Sequence, residues 1–385
     1  MRSYLGYEEA WLESKNAIHT AKEISQQPRF WQQTAQLIKQ HSDELNRFLE
    51  PILAQHNIRV ILTGAGTSAF AGKAISPWLN THCDAQVDAI ASTELVSNPY
   101  QYFDPDVPTL VVSFARSGNS PESVAAVELA NQVVNQCYHL FLTCNPDGQL
   151  AKQAEVQSNA YCLLMPEGSN DLSFAMTSSF SCMTLSALAT VGQIPLDELD
   201  GVVSTISEIS EQALVNWQGT SKKLAATDYQ RLVFLGSGGL SGLAQEAALK
   251  SLELSAGQIM TAFDSSLGFR HGPKFIVDPQ TVVVQMLSSN VYTRRYDNDL
   301  LNELKSDGIA QEIVVLSGTQ SDLEACSNQL NLNCDLEDVW LTFPYILFAQ
   351  MLAFEKSLAL GLTPDNPCPS GEVNRVVQGV KIHNF

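Results

Sequence analysis

A chain of 385 residues is too long for one ordinary hydrophobic core and calls for two or three domains of ~150 residues. Its 41 Asp and Glu against 22 Lys and Arg leave a formal charge of −19, which argues against DNA, RNA or an anionic membrane as the main partner. Any anionic ligand must then be held locally, by hydroxyls, backbone N–H groups and helix N-termini.

Residues 7 to 55 are helical in pattern. "EEAWLESKNAIHTAKEI" and "FWQQTAQLIKQHSDELNRFLEPILAQ" are separated by "SQQP", where Pro28 stops or starts a helix. No charged-then-apolar leader follows Met1 and no apolar run reaches about 18 residues, so the expectation is a cytoplasmic chain without a membrane span.

From residue 59 the pattern changes. "RVILTGAG" (59–66), "AQVDAIA" (85–91), "TLVVSFA" (109–115), "YHLFLT" (138–143) and "AYCLLM" (160–165) are short apolar or β-branched runs with helix-length stretches between several of them. That alternation predicts an α/β fold with a parallel sheet covered by helices. An apolar helix, "AMTSSFSCMTLSALATVG", then leads to "QIPLDELDG", a linker candidate containing Pro195 and Gly201.

A second unit begins there. At an offset of 172 residues "VILTGAGTSAFAGKA" (60–74) lies over "LVFLGSGGLSGLAQE" (232–246), with Gly64 over Gly236 and Gly66 over Gly238. The runs "TVVVQML" (281–287) and "EIVVLSG" (312–318) and the apolar helix at 339–361 continue the parallel. The expected organisation is an N-terminal helical segment, residues 1–55, packing on a first domain of residues 56–200, followed by a second domain of residues 201–385. Thr67 and Ser68 of the first turn become Gly239 and Leu240 in the second, which makes the first unit the better ligand site.

A G-x-G turn between strand and helix brings backbone N–H groups and a helix dipole to a bound anion. "GAGTS" lacks the third glycine and the acidic residue of a dinucleotide site, and no G-K-[ST] follows, so neither a nucleotide cofactor nor a P-loop is expected. "ARSGNSPES" adds Ser117, Gly118, Ser120 and Ser123 at the carboxyl end of a neighbouring strand. Two hydroxyl-rich turns at one sheet edge can surround a phosphate monoester. Taken singly, each turn reads equally as a helix cap, with Ser120 before Pro121 at the first helical position.

In "EAALKSLELSAG", Glu246, Lys250 and Glu253 fall at spacings of four and three, on one helix face. Such a pattern is commonly an exposed ion pair; the nearly all-apolar setting speaks against that here. His271 sits in "FRHGPK", a loop rich in glycine and proline, where a lone histidine is more often structural. The eight cysteines (Cys83, Cys137, Cys144, Cys162, Cys182, Cys326, Cys334, Cys368) form no C-x-x-C pair and read as buried, reduced thiols. The seven histidines are scattered, so no metal site is expected, nor any cofactor.

"GAGTS" and "RSGNS" resemble the two signature turns of the sugar isomerase (SIS) domain, and the tandem arrangement is similar to the isomerase half of glucosamine-6-phosphate synthase. "KEISQQP" (22–28), "EAALKSLELSAGQ" (246–258) and "RHGP" (270–273) extend the likeness over most of the chain. The resemblance implies two tandem SIS domains, each a doubly wound parallel sheet flanked by helices. It implies that Ser68, Ser117 and Ser120 contact a sugar phosphate, with Gly66 and Thr67 supplying backbone. Arg116 departs from the usual small polar residue or glutamine, and is either a charged phosphate contact or a surface ion-pair partner.

By the same resemblance Glu253 is the acid/base that moves a proton between C1 and C2 of an open-chain sugar, assisted by Lys250. His271 opens the ring and is supplied by a partner subunit, which implies a homodimer or larger assembly. The tail "PDNPCPSGEVNRVVQGVKIHNF" resembles the segment that relatives fold over the sugar. Arg375 stands in register with their imine-forming lysine, so a Schiff base would need Lys381, six residues on.

A synthase relative carries a glutaminase domain, whereas this chain proceeds from Met-Arg-Ser straight to helices, which favours the ammonia-releasing direction. "SFARSGNSPES", "GFRHGPK" and "NRVVQGVKIH" are most similar to the AgaS group of galactosamine and N-acetylgalactosamine catabolism. The expectation is conversion of galactosamine 6-phosphate to tagatose 6-phosphate and ammonia. Plain aldose/ketose isomerisation comes second, and sugar-phosphate sensing without turnover third.

Overall fold

The computed structural model describes residues 2–319, 328–377 and 379–385. Its contacts define two compact units. One holds Arg29–Asp171, Met176–Ser204 and Glu372–Phe385; the other holds Met1–Pro28, Leu172–Ala175 and Thr205–Gly371.

The chain opens with a two-residue hairpin, β1 (Ser3–Tyr4) against β2 (Tyr7–Glu8). Leu5 and Gly6 turn it with φ of 49° and 76°, the positive angles that a tight hairpin demands. A side chain on Gly6 would stand 2.6 Å from the Gln218 amide oxygen. The hairpin carries Tyr7 to the long helix Asp338–Ala359, where its hydroxyl donates to Glu355 Oε2 at 2.8 Å. Trp11 stacks on the Tyr7 ring at 4.4 Å, and the Lys222 ammonium lies 3.9 Å from its centre.

Burial pushes the Glu355 carboxyl up from 4.5 to about 7, with the Tyr7 hydrogen bond and the Lys222 charge acting in the opposite direction. Because the folded state holds the proton more tightly, this group's stabilising contribution is complete below pH 4.5 and is lost as pH rises to about 7. The span corresponds to at most about 3 kcal/mol. Denaturant midpoints should therefore fall between pH 5 and 8 in the wild type and fall less in Glu355→Gln. Parallel pH profiles would refute this.

Two five-stranded parallel sheets follow. In the first, β3 (Arg59–Thr63), β4 (Gln86–Ala89), β5 (Thr109–Ala115), β6 (Cys137–Thr143) and β7 (Ala160–Leu164) lie in the order β4-β3-β5-β6-β7. In the second, β8 (Arg231–Leu235), β9 (Met260–Asp264), β10 (Thr281–Met286), β11 (Glu312–Ser317) and β12 (Asn328–Asn331) lie in the order β12-β11-β10-β8-β9. Counted from its own first strand, each sheet runs second, first, third, fourth, fifth. The offset of 172 extends into register: Arg59 pairs with Thr109, and Arg231 with Thr281. The duplication read from the glycine turns is thus a duplication of the whole sheet.

The central strands are buried on both faces, so they read as unbroken apolar runs; all seven residues of β5 are buried. Ile61 and Val111 pack against Ala126, Leu129 and Ala130 in the first unit. In the second, Val233, Leu235 and Val283 pack against Phe269, Leu300 and Leu304. Ser178–Val191, the apolar helix read from sequence, is buried along its whole length. The Asp171 carboxylate holds its head, accepting the backbone N–H groups of Thr177, Ser178 and Ser179 at 2.9–3.0 Å.

Three expectations are revised. The N-terminal segment does not pack as one piece on the first sheet. Its first 28 residues join the second unit, where Gln27 meets Gln350 at 2.6 Å and the Glu23 carboxylate accepts the N–H of Leu172 at 2.5 Å. "QIPLDELDG" is not a linker loop: Pro195 precedes a 21-residue helix, Leu196–Asn216, that runs through Gly201. Asp197 and Glu198 favour its positive end, and burial of Leu199, Val203 and Ile206 outweighs the glycine cost of about 1 kcal/mol. The seven described cysteines are free thiols, but only Cys137 and Cys182 are buried outright, and Cys326 lies outside the described residues. Among the described residues no helix is long and apolar enough to cross a membrane.

Candidate functional site

β3 and β5 are neighbours running the same way, so the turns that follow them open at one edge of the sheet. Strand order reverses between these two strands, and such a switch point is where open α/β sheets bind ligands. Gly64 is compulsory here: a side chain would sit 2.4 Å from Ser68 Cβ and 3.0 Å from the Phe114 carbonyl of the neighbouring strand. Gly66 takes φ 58° and starts the helix Thr67–His82, whose first two residues, Thr67 and Ser68, are buried.

The second turn is tightly held. Gly118 has φ +64°, and its missing side chain lets the Gly148 backbone approach. Asn145 Nδ2 donates to the Ser117 carbonyl at 2.9 Å, and the Asn119 side chain accepts the Gln149 N–H at 2.9 Å. Ser120 stands at the N-cap of the helix Pro121–Val133, yet its side chain makes no capping hydrogen bond. The capping alternative read from sequence therefore does not describe what the Ser120 hydroxyl does.

Arg116 is 6% exposed, which removes the surface ion-pair alternative. Its Nη2 donates to the carbonyl of Arg375 at 2.9 Å. Arg375 in turn donates to the Asp171 carbonyl and, at 3.3 Å, to Asn170 Oδ1. The second turn and the C-terminal tail are thus tied through one buried guanidinium. Lys381 is exposed further along the tail, which also rests Phe385 against Tyr100 with ring centres 4.9 Å apart. Asp171 went unread in the sequence; its signal was an acidic residue shortly before the run "TSS", a helix-capping pattern.

In the other unit, the helix Gly239–Leu254 carries Glu246, Lys250 and Glu253 on one face. Lys250 is 1% exposed, with its ammonium 3.6 Å from Glu246 Oε1 and hydrogen-bonded to Glu253 Oε2. Glu246 is fully buried and Glu253 partly open. The exposed-pair alternative fails: this is a buried row of acid, base and acid whose last carboxylate reaches solvent. Fixed charge of this kind holds a carboxylate in place for proton transfer.

His271 follows the short helix Ser266–Phe269 and precedes Gly272, whose φ of 121° suits glycine. It is exposed, and its ring makes no hydrogen bond among the described residues of its unit. Around it in sequence stand exposed apolar side chains: Met260, Phe263, Leu267 and Phe275, the last 96% exposed. No group of three or more metal-ligating side chains occurs among the described residues.

A family model described as the SIS domain matches residues 52–191. The D-galactosamine-6-phosphate deaminase AgaS of Shewanella sp. (strain ANA-3) is 47% identical, covering 96% of this chain and 92% of that one. The crystal structure of tagatose-6-phosphate ketose/aldose isomerase from Escherichia coli superposes with a TM-score of 0.89 at 43% identity, covering 95% of this chain and 96% of that one. The C-terminal domain of glucosamine-fructose-6-phosphate aminotransferase from Francisella tularensis shares the fold, with a TM-score of 0.75 at 18% identity over 95% of this chain and all of that one.

Proposed function

The chain belongs to the SIS-domain enzymes, in the company of the AgaS deaminases, and from that premise we propose that it converts galactosamine 6-phosphate and water to tagatose 6-phosphate and ammonia. The turns Gly66–Thr67–Ser68 and Arg116–Ser117–Gly118–Asn119–Ser120 hold the phosphate through hydroxyls, N–H groups and the heads of two helices. In a chain of net charge −19 this local arrangement, with the buried Arg116 behind it, replaces a basic surface.

His271 exchanges the protons that open the pyranose ring. Glu253 takes the proton from C2, leaving an enolamine, and returns it to C1, giving an imine at C2. Water adds to that imine, and ammonia leaves as the C2 carbonyl forms. Lys250 holds the Glu253 carboxylate in its orientation. Arg375 cannot form an imine, and it is engaged with Asp171, so covalent capture of the ketose would require Lys381. The exposed apolar residues flanking His271 support a homodimer in which this loop serves the neighbouring copy.

One observation favours an enzyme over a sensor: a sensor needs only the phosphate turns, whereas here a buried lysine is spent on holding Glu253. A second reading, ketose/aldose isomerisation without deamination, is supported by the likeness to the Escherichia coli tagatose-6-phosphate ketose/aldose isomerase. Ammonia release decides between them. Purified protein should release it from galactosamine 6-phosphate and more slowly or not at all from glucosamine 6-phosphate. Interconversion of tagatose 6-phosphate with an aldose phosphate, with no ammonia from either amino sugar, would install the second reading.

A further inference from the structure

The two sheets share their switch-point backbone but not what fills it. Gly66 has φ 58° and ψ −126°; Gly238 has φ 59° and ψ −130°. In the first unit the helix beyond the second turn presents Ala125 to the core. At the offset of 172 the second unit has Asp297, fully buried, on the helix Val291–Asp307.

Each of the three strand ends around this point sends a donor to the Asp297 carboxyl. The Ser237 hydroxyl, between Gly236 and Gly238 after β8, donates at 2.6 Å. The Ser266 hydroxyl, after β9, donates at 2.5 Å and itself accepts the Gln285 amide at 3.1 Å. The Ser288 N–H, after β10, donates at 3.0 Å. The rest of that turn is taken by Asp338, which accepts the Ser289 N–H at 2.5 Å and the Ser289 hydroxyl at 2.9 Å. Where the first turn offers Thr67 and Ser68, the second has Gly239 and the fully buried Leu240.

Hydroxyls and an amide converging on one carboxyl at the end of three parallel strands are the donors an oxyanion takes at such a crevice. We infer that the second switch point is a sealed copy of the phosphate site, with the Asp297 carboxyl as its built-in occupant. Each chain therefore binds one sugar phosphate, at the first sheet. The inference rests on the reading of that first site as a phosphate site.

Burial and the nearby Asp338 raise the Asp297 pKa, while the bonds from Ser237, Ser266 and Ser288 pull it down. The N–H of Ser288 has no lone pair to offer and must meet an acceptor, which the carboxyl supplies in either protonation state.

Two measurements test this. Calorimetric titration of the Glu253→Gln protein with galactosamine 6-phosphate should give one equivalent per chain, and two equivalents would overturn the inference. In the second, Asp297→Ala should melt several degrees below wild type. Sodium formate or inorganic phosphate should raise its melting temperature more than sodium chloride of equal ionic strength does, and more than in wild type. Asp297→Asn keeps the volume and should gain less from either anion, which guards against a variant that merely folds badly. An Asp297→Ala protein indifferent to both anions overturns the sealed-site inference. Zero equivalents in the titration would instead count against the first-sheet phosphate reading, and the anion rescue alone would then decide whether the second site is sealed.

Discussion

Glu253→Gln is expected to lower kcat by about 10³-fold or more while leaving the affinity for substrate within a few-fold of wild type. The substitution keeps shape and one acceptor for Lys250 but removes the carboxylate proposed to take the C2 proton. The buried Lys250 ammonium retains the Glu246 carboxyl 3.6 Å away as a partner, and the Gln amide oxygen can still accept from it, so the replacement should not disturb folding. Exchange of the C2 hydrogen with deuterated solvent separates the steps: the variant should bind sugar phosphate yet fail to exchange. A variant that turns over at the wild-type rate would remove Glu253 from the mechanism.

The largest effect on stability is expected at the neighbouring lysine. Lys250→Met should cost about 3–5 kcal/mol, because it leaves the fully buried Glu246 carboxyl without the ammonium 3.6 Å away. Neutralising both, as Lys250→Met with Glu246→Leu, should recover most of that loss, since replacing a buried ion pair with apolar groups of similar volume is often neutral. Activity should stay low in the double variant, as Glu253 would have lost its orienting cation. Chemical denaturation and kcat measured on wild type, Lys250→Met, Glu246→Leu and the double variant give the double-mutant cycle. Recovery of activity together with stability would make Lys250 a structural residue only.

Both expectations concern residues that are legible in the sequence. Spacing alone put Glu246, Lys250 and Glu253 on one helix face, and the glycine and serine turns after β3 and β5 announced themselves by composition. Parallel strands are buried on both sides and so appear as apolar runs, and the duplication showed in its glycines. What spacing could not show was burial: the same three residues on an exposed helix would be a surface ion pair. The linker was misread for a related reason. Pro195 and Gly201 are locally strong breaking signals, but the apolar positions around Gly201 pack well enough for a helix to run through it.

Sequence by itself determined the α/β class, the tandem repeat, the two glycine- and hydroxyl-rich turns and the helix face shared by Glu246, Lys250 and Glu253, because each depends on local pattern over a dozen residues or fewer. Tertiary structure decided the rest. Arg116 and Arg375 are 259 residues apart, and nothing local foretells their contact. Asp297 lies in "TRRYDNDLLNELKSD", a run that reads as a solvated charged helix, and only the arrival of Ser237, Ser266 and Ser288 from three strand ends reveals it as a buried group. A side chain's burial and its distant partners are properties of the packed chain, and a polar residue advertises neither in its own neighbourhood.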